Sequence, residues 1–228
     1  PIKDTARVLS RYCDVLAIRT FAQQELEEYA EWSSIPVINA LTDLEHPCQA
    51  LADYLTIQEK FGKLKGINLS YIGDGNNVFR SLAIASGFLG MEVRFSGPPE
   101  YKLADQDRER LEFAGVSFEE YTSPEEAVKD VDVVYTDVWT SMGQEQEKTQ
   151  RYKAFEGFQV NEKLMNHAGE KTVFLHCLPA HRGEEVTDEV VDGSASRVWI
   201  QAENRMHAAR GLLAWLVEKN IEEGKKDE

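Results

Sequence analysis

Short runs of β-branched and apolar residues recur along the chain, and between them apolar positions fall at helical spacing. Beyond residue 66 the alternation is regular. Strands are predicted at 68–73, 92–96, 116–121, 131–138, 172–177 and 197–200, with helices at 77–90, 104–114 and 124–129 between them. Such alternation implies an α/β fold on a parallel, doubly wound sheet. Ahead of it lie an amphipathic helix over 1–12 and a buried strand over 15–20 with Arg19 near its end. A helix over 23–32, a short strand over 36–40 and a long helix to about Phe61 follow. Gly62-Lys-Leu-Lys-Gly66 is the best linker. It divides the chain into a first unit over 1–62, incomplete because it opens in mid-domain, and a second over 66–200. A last helix over 204–219 precedes a charged tail, 222–228, that reads as disordered.

Composition narrows the functional classes. At 228 residues and 42% hydrophobic content the chain can bury a substantial core. It has no apolar run of membrane-spanning length and no signal-peptide pattern, which argues against a membrane partner. Cys13, Cys48 and Cys177 are widely spaced and odd in number, pointing to a reducing cytoplasm rather than a disulfide framework or a zinc site. The formal net charge of −15 makes nucleic acid a poor partner. It also means that an anionic substrate must be met by locally gathered Arg and His.

Several element ends carry polar clusters. The predicted strand Thr172-Val-Phe-Leu-His-Cys-Leu-Pro179 ends on an imidazole, a thiol and a proline-fixed turn, where ligands of open α/β sheets bind. Taken alone, Cys177 reads as a small buried hydrophobe. In Leu44-Glu-His-Pro-Cys-Gln49, Pro47 suits the first helical position, with His46 at the cap and Gln49 one turn on; both also read as ordinary capping residues. The turn Gly73-Asp-Gly-Asn-Asn-Val78 departs from the dinucleotide fingerprint at Val78, and its two Asn suit a zwitterionic ligand better than a pyrophosphate. Asp137 closes a hydrophobic strand before a polar loop, and Trp139 with the loop to Lys153 reads as a lid. Arg205, read as lying in the first turn of the last helix, would oppose the helix dipole unless it held an anion.

Together, Leu44-Glu-His-Pro-Cys-Gln49, Gly73-Asp-Gly-Asn-Asn77, Asp137-x-Trp-x-Ser-Met-Gly143, His176-Cys-Leu-Pro179 and Glu203-Asn-Arg-x-His207 resemble the ordered motif set of the ornithine carbamoyltransferases. The resemblance runs from the first helix to the last. It implies two doubly wound parallel-sheet domains: the remainder of a carbamoyl-phosphate-binding domain over 1–62 and an ornithine-binding, Rossmann-like domain over 66–200. A C-terminal helix over 203–220 would pack back on the first domain. The family's Ser-Thr-Arg-Thr-Arg motif occurs nowhere in the chain, as expected if part of the first domain is missing upstream.

The implied reaction moves the carbamoyl group of carbamoyl phosphate to the δ-amine of L-ornithine, giving L-citrulline and phosphate without metal or organic cofactor. The implied assembly is a homotrimer or a multiple of trimers. By this resemblance Arg19 and Arg205 hold phosphate, His46 donates to the carbamoyl oxygen, and Gln49, Cys177 and the Leu178 carbonyl surround the carbamoyl group. Asn77, Asp137, Ser141 and Met142 hold ornithine, with Asp137 and Cys177 near its δ-amine. The Leu178–Pro179 bond is expected to be cis, aiming the Leu178 carbonyl inward. Rival readings are a carbamoyltransferase for putrescine or an N-modified ornithine, and a non-catalytic binding module if the chain truly starts at Pro1.

Overall fold

The computed structural model describes residues 1–140 and 145–224. The first part contains α1 (Ile2–Leu9), β1 (Leu16–Arg19), α2 (Gln23–Trp32), β2 (Val37–Leu41) and α3 (Pro47–Phe61). β1 and β2 pair in parallel, Leu16 opposite Val37 and Arg19 opposite Leu41. Such a pair needs a crossover, which α2 supplies. Helix α3 opens with Pro47 at its N-terminus, where a missing N–H is harmless. It stops at Gly62, whose φ of +71° is a left-handed cap that a side chain would resist.

The second part runs β3 (Asn68–Ile72), α4 (Asn77–Leu89), β4 (Glu92–Ser96), α5 (Asp105–Phe113), β5 (Ser117–Tyr121), α6 (Pro124–Ala127) and β6 (Val133–Thr136). It continues through α7 (Lys148–Ala154), α8 (Glu162–Ala168), β7 (Val173–His176) and α9 (Asp188–Val191) to α10 (Val198–Gly224). Five strands form one parallel sheet in the order β5-β4-β3-β6-β7. Both faces are covered, so β6 and β7 are buried along their whole length rather than alternating, and apolar but for their last residues Thr136 and His176. Val133 and Tyr135 join Val173 and Leu175 in one hydrophobic layer, while Val134 and Phe174 face the other. Tyr71 stacks between Phe95 and Tyr135 at 6.2 and 5.6 Å, filling the first layer with rings carried by three neighbouring strands.

The predicted strand at 197–200 is overturned. Val198 opens α10, which therefore starts earlier than the sequence suggested and runs to Gly224. The four-residue window looked β-like because Val, Trp and Ile are good strand formers. The longer pattern is helical, with Val198, Gln201 and Asn204 buried on one face while Trp199 and Ile200 point outward. Two of the three inward positions are polar, which hid the period. This helix packs against α3, returning the end of the chain to its first part.

Candidate active site at the strand ends

In the five-stranded sheet the chain leaves β3 for β4 on one side, while β6 lies on the other. The connections from β3 and β6 thus diverge, and the crevice between them at the carboxyl ends is where open α/β sheets bind ligands. Asn76 leaves β3 and caps α4, its Oδ1 accepting from the Val78 and Phe79 N–H groups at 3.1 Å each. Its Nδ2 donates to Asp137 Oδ2, 2.8 Å away at the exit of β6. Asp137 Oδ1 accepts in turn from the Cys177 thiol at 3.0 Å, at the exit of β7. Three strand exits are therefore tied by one polar chain. Burial, and then Asp137, push the Cys177 thiol well above its ordinary range. It acts here as a protonated donor and not as a nucleophilic thiolate.

The turn after β7 is held from beneath. His176 Nδ1 accepts the Leu178 N–H at 2.9 Å, which leaves the ring proton on Nε2, facing Glu185 Oε1 at 3.2 Å. Glu185 Oε1 also accepts the His181 N–H at 2.6 Å. The Leu178–Pro179 peptide is cis, as expected, and Leu178 adopts a φ of +57°. Ligand atoms of Asp137, His176 and Cys177 lie within 4.8 Å of one another. Both His176 nitrogens are engaged inside the protein, so the group is a poor cradle for a metal.

The facing wall comes from the first part. His46 caps α3, and its N–H donates to Ser81 Oγ at 2.7 Å, fixing the helix start against α4. Arg80 reinforces this seat by donating to the Asp43 and Leu44 carbonyls while pairing with Asp107. The His46 pKa falls from its ordinary 6.5 to about 4. Burial is the largest cause, followed by the charge of Arg205; Asp137 opposes the fall, and Arg19 adds to it. A neutral imidazole thus stands within the fields of two guanidinium groups and the strand-end carboxylate. Its Nδ1 is buried with no partner among the described residues. Gln49 is buried one turn further along, its Nε2 donating to Asp53 Oδ1 at 2.8 Å.

The sequence expectations fare unevenly. His46, Arg19, Arg205 and Asp137 converge, and Cys177 bonds Asp137 directly. Arg205 lies well inside α10 rather than in its first turn, because the helix starts at Val198. The dipole argument for it therefore fails, and what places it near the site is its charge, which lowers the pKa values of both His46 and Asp53. The Asn77 Nδ2 donates to the Thr42 carbonyl at 2.7 Å, so Asn76 rather than Asn77 reaches Asp137. Ser141 and Met142 lie outside the described residues.

Asp53, Gln201, Glu185 and Arg151 were missed. Asp53 had a signal, since it follows Gln49 by four positions and so shares its helix face. Arg151 had none. It is buried, bonds Asp74 and the Trp139 carbonyl, and lies 4.3 Å over the Tyr101 ring, anchoring the base of the loop after β6.

Two parallel α/β units, joined by α3 and α10 and presenting polar strand ends to a capped helix start, define the two-domain carbamoyltransferase class. Residues 65–216 match the aspartate/ornithine carbamoyltransferase Asp/Orn binding domain, and residues 1–59 match the carbamoyl-P binding domain of the same family. The chain belongs to the aspartate/ornithine carbamoyltransferase family. It is 57% identical over 218 residues to an ornithine carbamoyltransferase of Prochlorococcus marinus (strain MIT 9313), covering 94% of this chain and 68% of that protein. The structure of ornithine carbamoyltransferase from Pyrococcus furiosus superposes with a TM-score of 0.90 at 51% identity, over 95% of this chain and 71% of that one. An N-acetyl-L-ornithine transcarbamylase complexed with PALAO gives 0.82 at 31% identity, over 94% and 72%.

Proposed function

We propose that this chain transfers the carbamoyl group of carbamoyl phosphate to the δ-amine of L-ornithine, releasing L-citrulline and phosphate. The observation that carries the reading is the setting of His46, at the start of α3 against α4 and within the fields of Arg205, Arg19 and Asp137. An anion fits the two guanidinium groups and an amine fits the Asp137 carboxylate. Arg205 and Arg19 take the phosphate oxygens. Neutral His46 donates its ring N–H to the carbamoyl oxygen, where negative charge grows during attack; a preorganised donor at that point is usually the largest catalytic contribution. Gln49, the Leu178 carbonyl and Cys177 surround the carbamoyl group. Asn77, Asp137, Ser141 and Met142 hold ornithine, with Asp137 and Cys177 nearest the amine.

The deprotonated δ-nitrogen attacks the carbonyl carbon. The C–N bond forms, the C–O bond to phosphate breaks, phosphate leaves with the electron pair, and the nitrogen sheds a proton. Carbamoyl phosphate is already activated, so this step calls for neither metal nor organic cofactor. We assign residues 1–62 to carbamoyl-phosphate binding, 66–200 to ornithine binding and 203–220 to the returning helix. We place the protein in the cytoplasm as a homotrimer or a multiple of trimers. Among the described residues no helix is long and apolar enough to cross a membrane.

The test is the rate of carbamoyl transfer from carbamoyl phosphate to ornithine, putrescine and N-acetylornithine, with sedimentation equilibrium for the assembly. Ornithine is expected to be the best acceptor. A faster rate with either other amine overturns the acceptor assignment. Absence of transfer to all three favours a binding module.

A further inference from the structure

Asp53 has no place in the mechanism above, yet it is fully buried at the centre of the molecule. Its Oδ1 accepts from Gln49 Nε2 at 2.8 Å and from Gln201 Nε2 at 2.6 Å, and its Oδ2 accepts from the Tyr135 hydroxyl at 3.1 Å. Gln201 Oε1 accepts the His176 N–H at 2.9 Å, at the last residue of β7. A carboxylate can only accept. Two carboxamides that turn their NH2 ends toward it are thereby fixed in orientation, and their oxygens must point elsewhere. The oxygen of Gln201 meets β7. That of Gln49 takes no hydrogen bond from the described residues.

We propose that Asp53 is a positioning residue that orients the Gln49 carboxamide so that Oε1 accepts the NH2 group of the carbamoyl donor. Through Gln201 it also holds the end of β7, from which the Leu178 carbonyl approaches the same NH2. The proposal rests on the carbamoyl-transfer reading. Without the carboxylate, the Gln49 side chain could turn over and present NH2 to NH2, where no hydrogen bond forms. Burial pushes Asp53 up to about 7, with its three hydrogen-bond donors and Arg205 pulling it back. The acceptor-only form therefore prevails in mildly alkaline solution. Asp53→Asn would still offer one amide oxygen to both Gln side chains, so the informative variant is Asp53→Ala, which removes both acceptors; unchanged binding of inorganic phosphate reports that it folds.

The experiment measures dissociation constants of carbamoyl phosphate, acetyl phosphate and inorganic phosphate for the complete protein and its Asp53→Ala variant at about pH 8, above the ionisation of Asp53. Acetyl phosphate carries CH3 where carbamoyl phosphate carries NH2, so the ratio of the two isolates recognition of the amide. The wild type is expected to prefer carbamoyl phosphate. In Asp53→Ala that preference should fall about tenfold, the size of one lost charge-assisted hydrogen bond, with inorganic phosphate bound as before. An unchanged preference overturns the proposal. So does a matching loss of inorganic phosphate, which would mark Asp53 as merely structural. A wild type without preference overturns the carbamoyl-transfer reading instead.

Discussion

At the residue scale, His46 shows how a fold sets the protonation of a single group. Its pKa is lowered to about 4, so between that pH and 6.5 the unfolded chain binds a proton that the folded chain refuses. Stability from this source is present above pH 6.5 and is lost as pH falls through about 4. Asp53 acts in the opposite sense. Its pKa rises from 3.8 to about 7, so its contribution is present below the lower value and is lost as pH rises through the higher. Urea denaturation of wild type and His46→Gln across this window separates the two. The advantage of wild type should grow with pH, by at most about 1.4 kcal/mol per pH unit; a difference independent of pH would show that His46 is not held neutral. Cys177 makes a second test. Its thiol is pushed up, whereas Cys13 is exposed. Iodoacetamide near neutral pH should alkylate Cys13 and spare Cys177, which mass spectrometry of the peptides reads directly; prompt labelling of Cys177 would contradict its donor role.

At the scale of elements, the turn after β7 depends on Glu185, which bonds the His176 ring and the His181 N–H. Glu185→Ala leaves two donors without partners, a loss of about 2–3 kcal/mol, while Glu185→Gln keeps an acceptor and should lose about 1 kcal/mol or less. Equal losses by urea denaturation would mean that something else holds the turn. Strands β6 and β7 were legible in the sequence because burial on both faces gives them short apolar runs, and the cap of α3 was legible from His46-Pro47. The start of α10 was not, because Gln201 and Asn204 occupy inward positions that a hydrophobic pattern scores as outward. Glu185 was equally hidden: a carboxylate matched to one imidazole nine positions earlier has no periodic trace. Of the candidate site, the residues at element ends could be read from the sequence. Asp53 left only its four-residue spacing from Gln49 as a trace, since its other partners, Tyr135 and Gln201, come from distant segments.

At the scale of the whole molecule, α10 makes one unit of two α/β parts, and it does so through a polar seam. Asn204, buried against α3, donates both protons of its amide, to Thr56 Oγ1 at 3.0 Å and to Glu59 Oε2 at 2.8 Å. Thr56 gives its own hydroxyl proton to the Ala52 carbonyl at 2.8 Å, so toward Asn204 it can only accept. The seam therefore has a direction: acceptors on α3, donors on α10. Asn204→Ala removes the donors and should cost about 1–3 kcal/mol. Asn204→Asp is nearly the same shape but sets a carboxylate against that of Glu59, so at neutral pH it should cost more than the alanine variant. Its folded-state pKa would be raised by that neighbour, so the excess loss shrinks as pH falls toward the carboxylate range near 4, where a proton restores a donor. Because Gln201 and Arg205 flank Asn204 on α10, the same variant should bind inorganic phosphate more weakly at neutral pH and recover part of that affinity on acidification. If Asp and Ala at this position match in stability at every pH, the Asn204 amide plays no part in joining the two parts, and the alignment of Arg205 with His46 has another cause.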